Sequence, residues 1–175
     1  MEQSKLQEEL NKFRDYVIQQ ARTNLSKGGK NSSSNSSSKL YNSLGGTVKA
    51  NPNSFEMEFF MEEYGVFQDA GVSGEKRKYD TPYSYKSKMP PPSGLDKWIV
   101  RKGIAPRSKD GKLMNRKSLQ FAIARSIFNN GIKPSLFFTK PFEAGFKRLP
   151  EELVEAYGLD ALTIFNEQID EIING

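Results

Sequence analysis

Apolar side chains recur at spacings of three and four from the start of the chain: Leu6, Leu10, Phe13, Val17, Ala21 and Leu25, with Ile18 widening the stripe. Residues 5–25 are therefore expected as an amphipathic helix, stopped by Gly28 and Gly29. The tract "KNSSSNSSSK" that follows has nothing to bury and reads as a linker. "SKLYNSL" predicts a short helix before Gly45 and Gly46. The period then changes to two. Phe55, Met57, Phe59 and Met61 alternate with Glu56, Glu58, Phe60 and Glu62, and Pro52–Asn53 supplies turn chemistry. Residues 46–64 are expected as a β-hairpin with one buried face. "YGVFQDAGVSG" is expected as a further strand turning into a Gly-rich loop, which carries the sheet to residue 72.

Helical spacing returns after a long polar stretch. Ser93 is expected to cap "GLDKWIVRK", with Asp96 in its first turn. Residues 107–117 read as a polar, basic loop. "RKSLQFAIARSIFNN" predicts a helix with Leu119, Ala122, Ile123, Ser126 and Ile127 inward and Phe121 and Phe128 beside that face. "SLFFTKPF" is expected as a strand or extended segment. "LPEELVEAY", opened by Pro150, and "DALTIFNEQIDEII", capped by Asp160, are expected as the last helices. The pattern describes one domain over residues 1–175 that combines helices with a β-hairpin, a further strand and long loops. Its segments are an N-terminal helix (1–26), a Ser-rich arm and short helix (27–45), the sheet (46–72) and a basic Tyr/Pro loop (73–93). Helices and an extended segment (94–148) and C-terminal helices (149–175) complete it.

Two stretches echo each other 28 residues apart, "WIVRKGIAP" and "SIFNNGIKP". They read as one helix-stop device used twice. Gly103 and Gly131 would take the left-handed conformation at the helix end, the next Ile would pack back, and Pro would prevent continuation. Gly158 in "EAYGLD" repeats the Gly-plus-apolar part at another spacing, which argues against an internal repeat.

Charge adds a second layer. The chain has a net charge of +5, but residues 1–74 carry 8 basic and 9 acidic side chains, residues 75–117 carry 13 and 4, and residues 118–175 carry 5 and 8. In "EKRKYDTPYSYKSKMPPPS" the cations Lys76, Arg77, Lys78, Lys86 and Lys88 interleave with Tyr79, Tyr83 and Tyr85. Such a loop can stack on bases while neutralising phosphates, or pack on another protein; both readings stay open. Hydrophobic residues make up 36%, low enough to expect part of the chain to be extended, loop-rich or buried only by partners.

The chain has no His and no Cys. That removes the commonest general base, the commonest transition-metal ligand and any disulfide framework, and no cofactor or metal is expected. Of Glu56, Glu58, Glu62 and Glu63, three fall on the solvent face of an alternating strand, so they read as a plain polar face rather than a metal or acid/base cluster. Gly65, Gly71 and Gly74 lack the spacing of a phosphate cradle. A nuclease reading built on Asp69, Glu75 and Lys76 has loose spacing, so the chain is not expected to be an enzyme. No apolar run approaches membrane-spanning length. "MEQSKLQEEL" is acidic and polar, unlike a signal peptide, which points to folding in a cytoplasm.

The order of "KLYNSLGGTVKA", "YGVFQDAG", "LDKWIVRKGI" and "FAIARSIFNNGIKPSLFF" resembles the tail-completion, or head–tail connector (neck), proteins of tailed bacteriophages. The matching positions are Leu44, Tyr64, Trp98, Gly103, Ala124, Ile127, Gly131, Pro134 and Phe137, over residues 5–140. The resemblance implies the ring-forming fold of phage neck proteins, α/β (α+β), a small twisted antiparallel sheet with flanking helices and long interaction arms, in a structural virion protein without enzyme activity, assembled in the bacterial host cytoplasm. It implies a homo-oligomeric ring of six or twelve copies in the neck or upper tail. That ring would join portal to tail and surround the DNA channel, with adjacent portal, connector or tail proteins as partners and no membrane. The Ser-rich tract and the 75–93 loop would be arms that add strands to neighbours, with the basic loop docking on an acidic protein or touching DNA phosphates. The alternative is a basic, sequence-independent nucleic-acid-binding protein.

Overall fold

Six α-helices and one two-stranded antiparallel sheet make up the described part of the chain, an α+β mixture. The structure, a computed structural model, describes residues 3–27, 39–51, 54–104, 107, 110–112, 115–151 and 153–154. The Ser-rich tract, the Pro52–Asn53 turn, Pro106, Gly158 and the Asp160 helix lie outside the described residues. The single domain expected over residues 1–175 is divided by its contacts into two compact units: residues 1–69 with 136–175, and residues 70–135.

Unit 1 is organised by α1 (Gln3–Lys27). All six stripe residues, Leu6 to Leu25, are buried, none more than 6% exposed. At about 1.5–3 kcal/mol for each fully buried large apolar side chain, this one stripe outweighs any propensity term within the helix. Helix α2 (Lys39–Ser43) leads through Leu44 to β1 (Gly45–Ala50), which pairs with β2 (Phe55–Phe60) in the register Val48 to Met57. Val48, Ala50, Phe55, Met57 and Phe59 turn toward α1, while Glu56 and Glu58 face solvent. Phe13, Phe59, Phe138 and Phe142 form an edge-to-face aromatic cluster with ring centroids 5.3–6.2 Å apart.

The sheet ends at Phe60, earlier than expected. Residues Tyr64–Ala70 form a helix, α3, instead of a strand. Gly65, Val66 and Asp69 are its buried positions, a one-four spacing that a strand would split between two faces. "SLFFTKPF" is likewise not extended: Phe137 and Phe138 lie in a turn and α6 (Thr139–Phe146) follows. Pro141 fits its first turn, where a missing backbone N–H costs nothing. Asp69 makes this possible. Its carboxylate accepts bonds from Phe138 N at 2.7 Å, from Thr139 N at 3.3 Å and from the Thr139 hydroxyl, and its backbone oxygen accepts from Leu136 N at 3.1 Å. Leu136 is held there at φ 51°. Beyond α6, Leu153 N donates to Pro150 O, and the Leu153 side chain is buried with Leu6 and Leu10.

Unit 2 contains a 3₁₀ turn (Pro92–Leu95), α4 (Asp96–Arg101) and α5 (Arg116–Asn130). Ser93 lies inside the 3₁₀ turn and caps nothing, because Pro91 sets the turn and α4 continues directly from Leu95. Asp96 ties α4 to α5 through Arg116 at 2.7 Å and Gln120 at 2.5 Å. The side-chain cap is Asn115, whose oxygen accepts from Lys117 N at 2.9 Å. Helix α5 also turns a different face inward. Ala124 is its one fully buried residue, flanked by half-buried Gln120, Ile123, Ile127 and Phe128, whereas Ala122 and Ser126 are exposed.

The two echoed glycines are not the same device. At Gly103 (φ +60°), Ile104 N bonds Ile99 O and Gly103 N bonds Val100 O, the paired bonds of a Schellman cap. Gly131 has φ 70° and ψ −168°, a region open to glycine alone rather than the left-handed helical one. Its next residue, Ile132, does not fold back on α5 but pairs with Val72. A Cβ on Gly131 would sit on the Val72 carbonyl oxygen and 2.6 Å from Gly74 N, while one on Gly103 would meet nothing within 4 Å. Gly103→Ala should therefore cost about 1–2 kcal/mol, the left-handed penalty alone. Gly131→Ala should cost more than about 3 kcal/mol by adding a backbone clash to strain. Urea denaturation of the two variants checks the order, and equal losses would contradict it.

Candidate interaction surface

The basic loop of unit 2 is a strap built around one small residue, Ser73, which is 4% exposed. Val72 and Ile132 exchange backbone bonds of 2.8 Å in both directions. Ser73 N donates to Tyr83 O and Ser73 O accepts from Tyr85 N, both at 2.9 Å. The Ser73 hydroxyl donates to Tyr79 O at 3.2 Å and accepts from Tyr79 N at 3.0 Å, while the Thr81 hydroxyl bonds Gly71 O. Residues 79–85 are thereby lashed alongside 71–73. No sequence signal marks Ser73, which reads as one more small polar residue in a Gly-rich stretch.

The turn before the strap closes the end of α5. Glu75 N bonds Phe128 O, and Lys76 N and Arg77 N both bond Asn129 O, at 2.9–3.2 Å. Carbonyls that α5 leaves unpaired are satisfied in this way, and the charges of Lys76, Arg77 and Lys78 stand at the negative end of its dipole. Lys78 Nζ also bonds Gly74 O at 2.9 Å.

The interleaved cations and tyrosines of the sequence separate into two faces. Tyr79, Thr81, Tyr83 and Tyr85 are half-buried, and Asp80, Pro82, Ser84 and Lys86 between them are exposed. The Tyr85 ring lies 6.3 Å from that of Phe128, and burial pushes its hydroxyl above the ordinary tyrosine range. Arg77 covers the Tyr79 ring at 5.3 Å. Tyr79, Tyr83 and Tyr85 are thus packed in their own unit, and Lys76, Arg77, Lys78, Lys86 and Lys88 form the exposed surface. This corrects the expected free arm over residues 75–93: its first half is bonded to its own unit, because Ser73 and the end of α5 supply partners that the sequence does not advertise.

The other candidates resolve separately. Both oxygens of Asp69 are occupied at the start of α6, and it belongs to unit 1, whereas Glu75 and Lys76 are exposed in unit 2. Among the described residues no three acidic side chains are gathered as metal ligands would be, and none of their helices is long and apolar enough to cross a membrane. A groove of about 720 Å³ beside α1 is lined by Asp15, Ile18, Gln19, Arg22 and Tyr41. Its Arg22 is already engaged, bonding the carbonyls of Tyr41 and Leu44.

Division into units sharpens the charge pattern. Unit 1 carries 11 basic and 17 acidic side chains, a net −6, and unit 2 carries 15 and 4, a net +11. Three large apolar side chains of unit 2 are also exposed: Trp98 and Val100 on α4 and Phe121 on α5. No protein-family model, curated protein or solved structure matches the chain.

Asp69 generates a pH prediction. Desolvation raises its pKa, outweighing the bonds from Thr139 and Phe138 that favour the charged form, and Glu143 adds repulsion. The folded state therefore binds the proton more tightly than the unfolded chain, whose carboxyl titrates near about pH 3.9. The stability linked to that proton is complete below this value and is lost as pH rises through the folded pKa. Asp69→Ala should cost about 2–4 kcal/mol by leaving buried N–H groups unpaired. The stability of the native chain relative to Asp69→Asn should fall as pH rises above about 4. Denaturation curves from pH 3 to 7 check both, and a pH-independent difference would contradict the account.

Proposed function

We propose that this chain is a structural subunit of a ring in the head–tail connector or upper tail of a tailed phage, acting through assembly and not through turnover. The observation that carries the reading is charge polarity: each copy presents a net −6 unit and a net +11 unit. Heterologous, head-to-tail contacts close a ring of identical subunits when each copy brings two complementary surfaces. The resemblance of the ordered motifs from Leu44 to Phe137 names the class of ring. The exposed Trp98, Val100 and Phe121 support it, since aromatic side chains near the centre of an interface carry much of its energy. In this reading the outward Lys76, Arg77, Lys78, Lys86 and Lys88 steer docking onto an acidic protein, in a virion assembled in the bacterial cytoplasm.

The excess of cations in unit 2 also favours a second reading, sequence-independent binding to nucleic-acid phosphates. Size separates the two. Electron microscopy and mass measurement of the purified chain should show closed rings of six or twelve copies around a channel. Lys86→Glu with Lys88→Glu should weaken assembly at least about tenfold while leaving the urea midpoint unchanged. A 19.8 kDa monomer that binds duplex DNA, with affinity falling steeply in salt, would replace the ring by the second reading.

A further inference from the structure

The outward side of α3 is aromatic. Gly65, Val66 and Asp69 are its buried positions, which puts Tyr64 and Phe67, three residues apart, side by side at the centre of the opposite face. Both meet solvent, at 45% and 42% exposure. Phe60 at the end of β2 is exposed as well, its ring laid over Gly45, which has no Cβ to displace it. The charge around these rings is of one sign: residues 54–64 carry four Glu and no Lys or Arg. Glu62 is engaged by Lys39 at 3.6 Å. Glu63, which directly precedes Tyr64, is exposed and has no ion pair among the described residues.

Unit 2 carries a segment of the complementary chemistry. Beyond Tyr85 the strap is no longer tied: among the described residues, none of residues 86–90 makes a hydrogen bond. Residues 81–95 contain two Lys and no Asp or Glu. Lys86, Ser87, Lys88 and Pro91 are exposed, and Pro91 has φ −62° and ψ 123°, close to polyproline II. A Pro-rich segment of that kind packs on aromatic rings with little conformational entropy left to lose, and flanking lysines select an acidic rim. At about 3.1 Å per residue, Lys88 to Pro91 spans about 9 Å, enough to run from Glu63 past Tyr64 to Phe67 on a helix rising about 1.5 Å per residue. We propose that residues 86–91 of a neighbouring copy dock on the outward face of α3, Pro90 and Pro91 on the Tyr64 and Phe67 rings and Lys88 against Glu63. The inference rests on the ring reading and names a contact by which the basic unit of one subunit reaches the acidic unit of the next.

The test places a photo-cross-linking amino acid at position 64 of the full chain and mixes isotopically light and heavy copies before irradiation. Peptides joining position 64 of one isotope to residues 86–91 of the other are expected. Cross-links confined to one isotope, cross-links to other residues, or none would overturn the docking. In parallel, Glu63→Lys and Lys88→Glu should each weaken assembly about fivefold, and the chain carrying both should return to within about twofold of the native value. The urea midpoints should not move, because both side chains are exposed. A double variant that fails to recover overturns the pairing of these charges. Rings that form without the cross-link and are indifferent to Glu63→Lys sink this docking and leave the ring reading standing. A full chain that is monomeric throughout sinks both.

Discussion

A single buried carboxylate links the two sequence-distant runs of unit 1 where they meet, beside the apolar core that they share. Asp69 ends the first run of that unit, and Leu136 begins the second. The backbone bond between them and the three bonds from the Asp69 carboxylate to Phe138 and Thr139 join those ends. The bonds also settle the start of α6 and so deliver Phe138 and Phe142 to the aromatic cluster with Phe13 and Phe59. Burial raises the energy of the charge while the donors lower it, so this anchor is strong only as a complete set. An excursion of residues 70–135 is compatible with one core because both of its ends are fixed within unit 1.

Unit 2 solves the corresponding problem with neutral groups. Its strap has few apolar side chains to bury, and Ser73 substitutes hydrogen bonds for them, offering its N–H, its C=O and its hydroxyl to residues 79–85. Gly131 permits the approach that brings residues 72–74 against the end of α5, and the turn at 75–77 then satisfies the last carbonyls of that helix. Positive charge is gathered at a helix C-terminus for a structural reason: Lys78 bonds Gly74 O, Arg77 covers the Tyr79 ring, and all three basic residues 76–78 keep exposed surface. Surface charge of this kind bears on partner choice and association rate more than on the fold.

The inward face of α5 is hard to read from the sequence: with Phe121, Ala122, Ile123 and Ala124 adjacent, periodicity supports more than one orientation. Ala124 wins because its small side chain allows the closest approach, and Phe121 is left outside.

Some of the molecule was legible in the order of residues alone. The α1 stripe, the α5 span, the outward Glu56 and Glu58 and the Schellman end at Gly103 follow from local periodicity and local backbone chemistry, which act within a turn or two of chain. The cationic centre and the absence of His and Cys are facts of composition. What only the tertiary structure decided depends on partners far away in sequence. Residues 64–70 form a helix that carries Asp69 to residues 138 and 139. "FFTKPF" turns into a helix because its N-terminus is capped from 70 residues away. Gly131 departs from Gly103 because residues 72–74 lie against it, and the tyrosines of the basic strap face inward because Ser73 holds their backbone. None of these contacts leaves a periodic trace, since each is made by one or two polar groups whose partners are chosen by the fold.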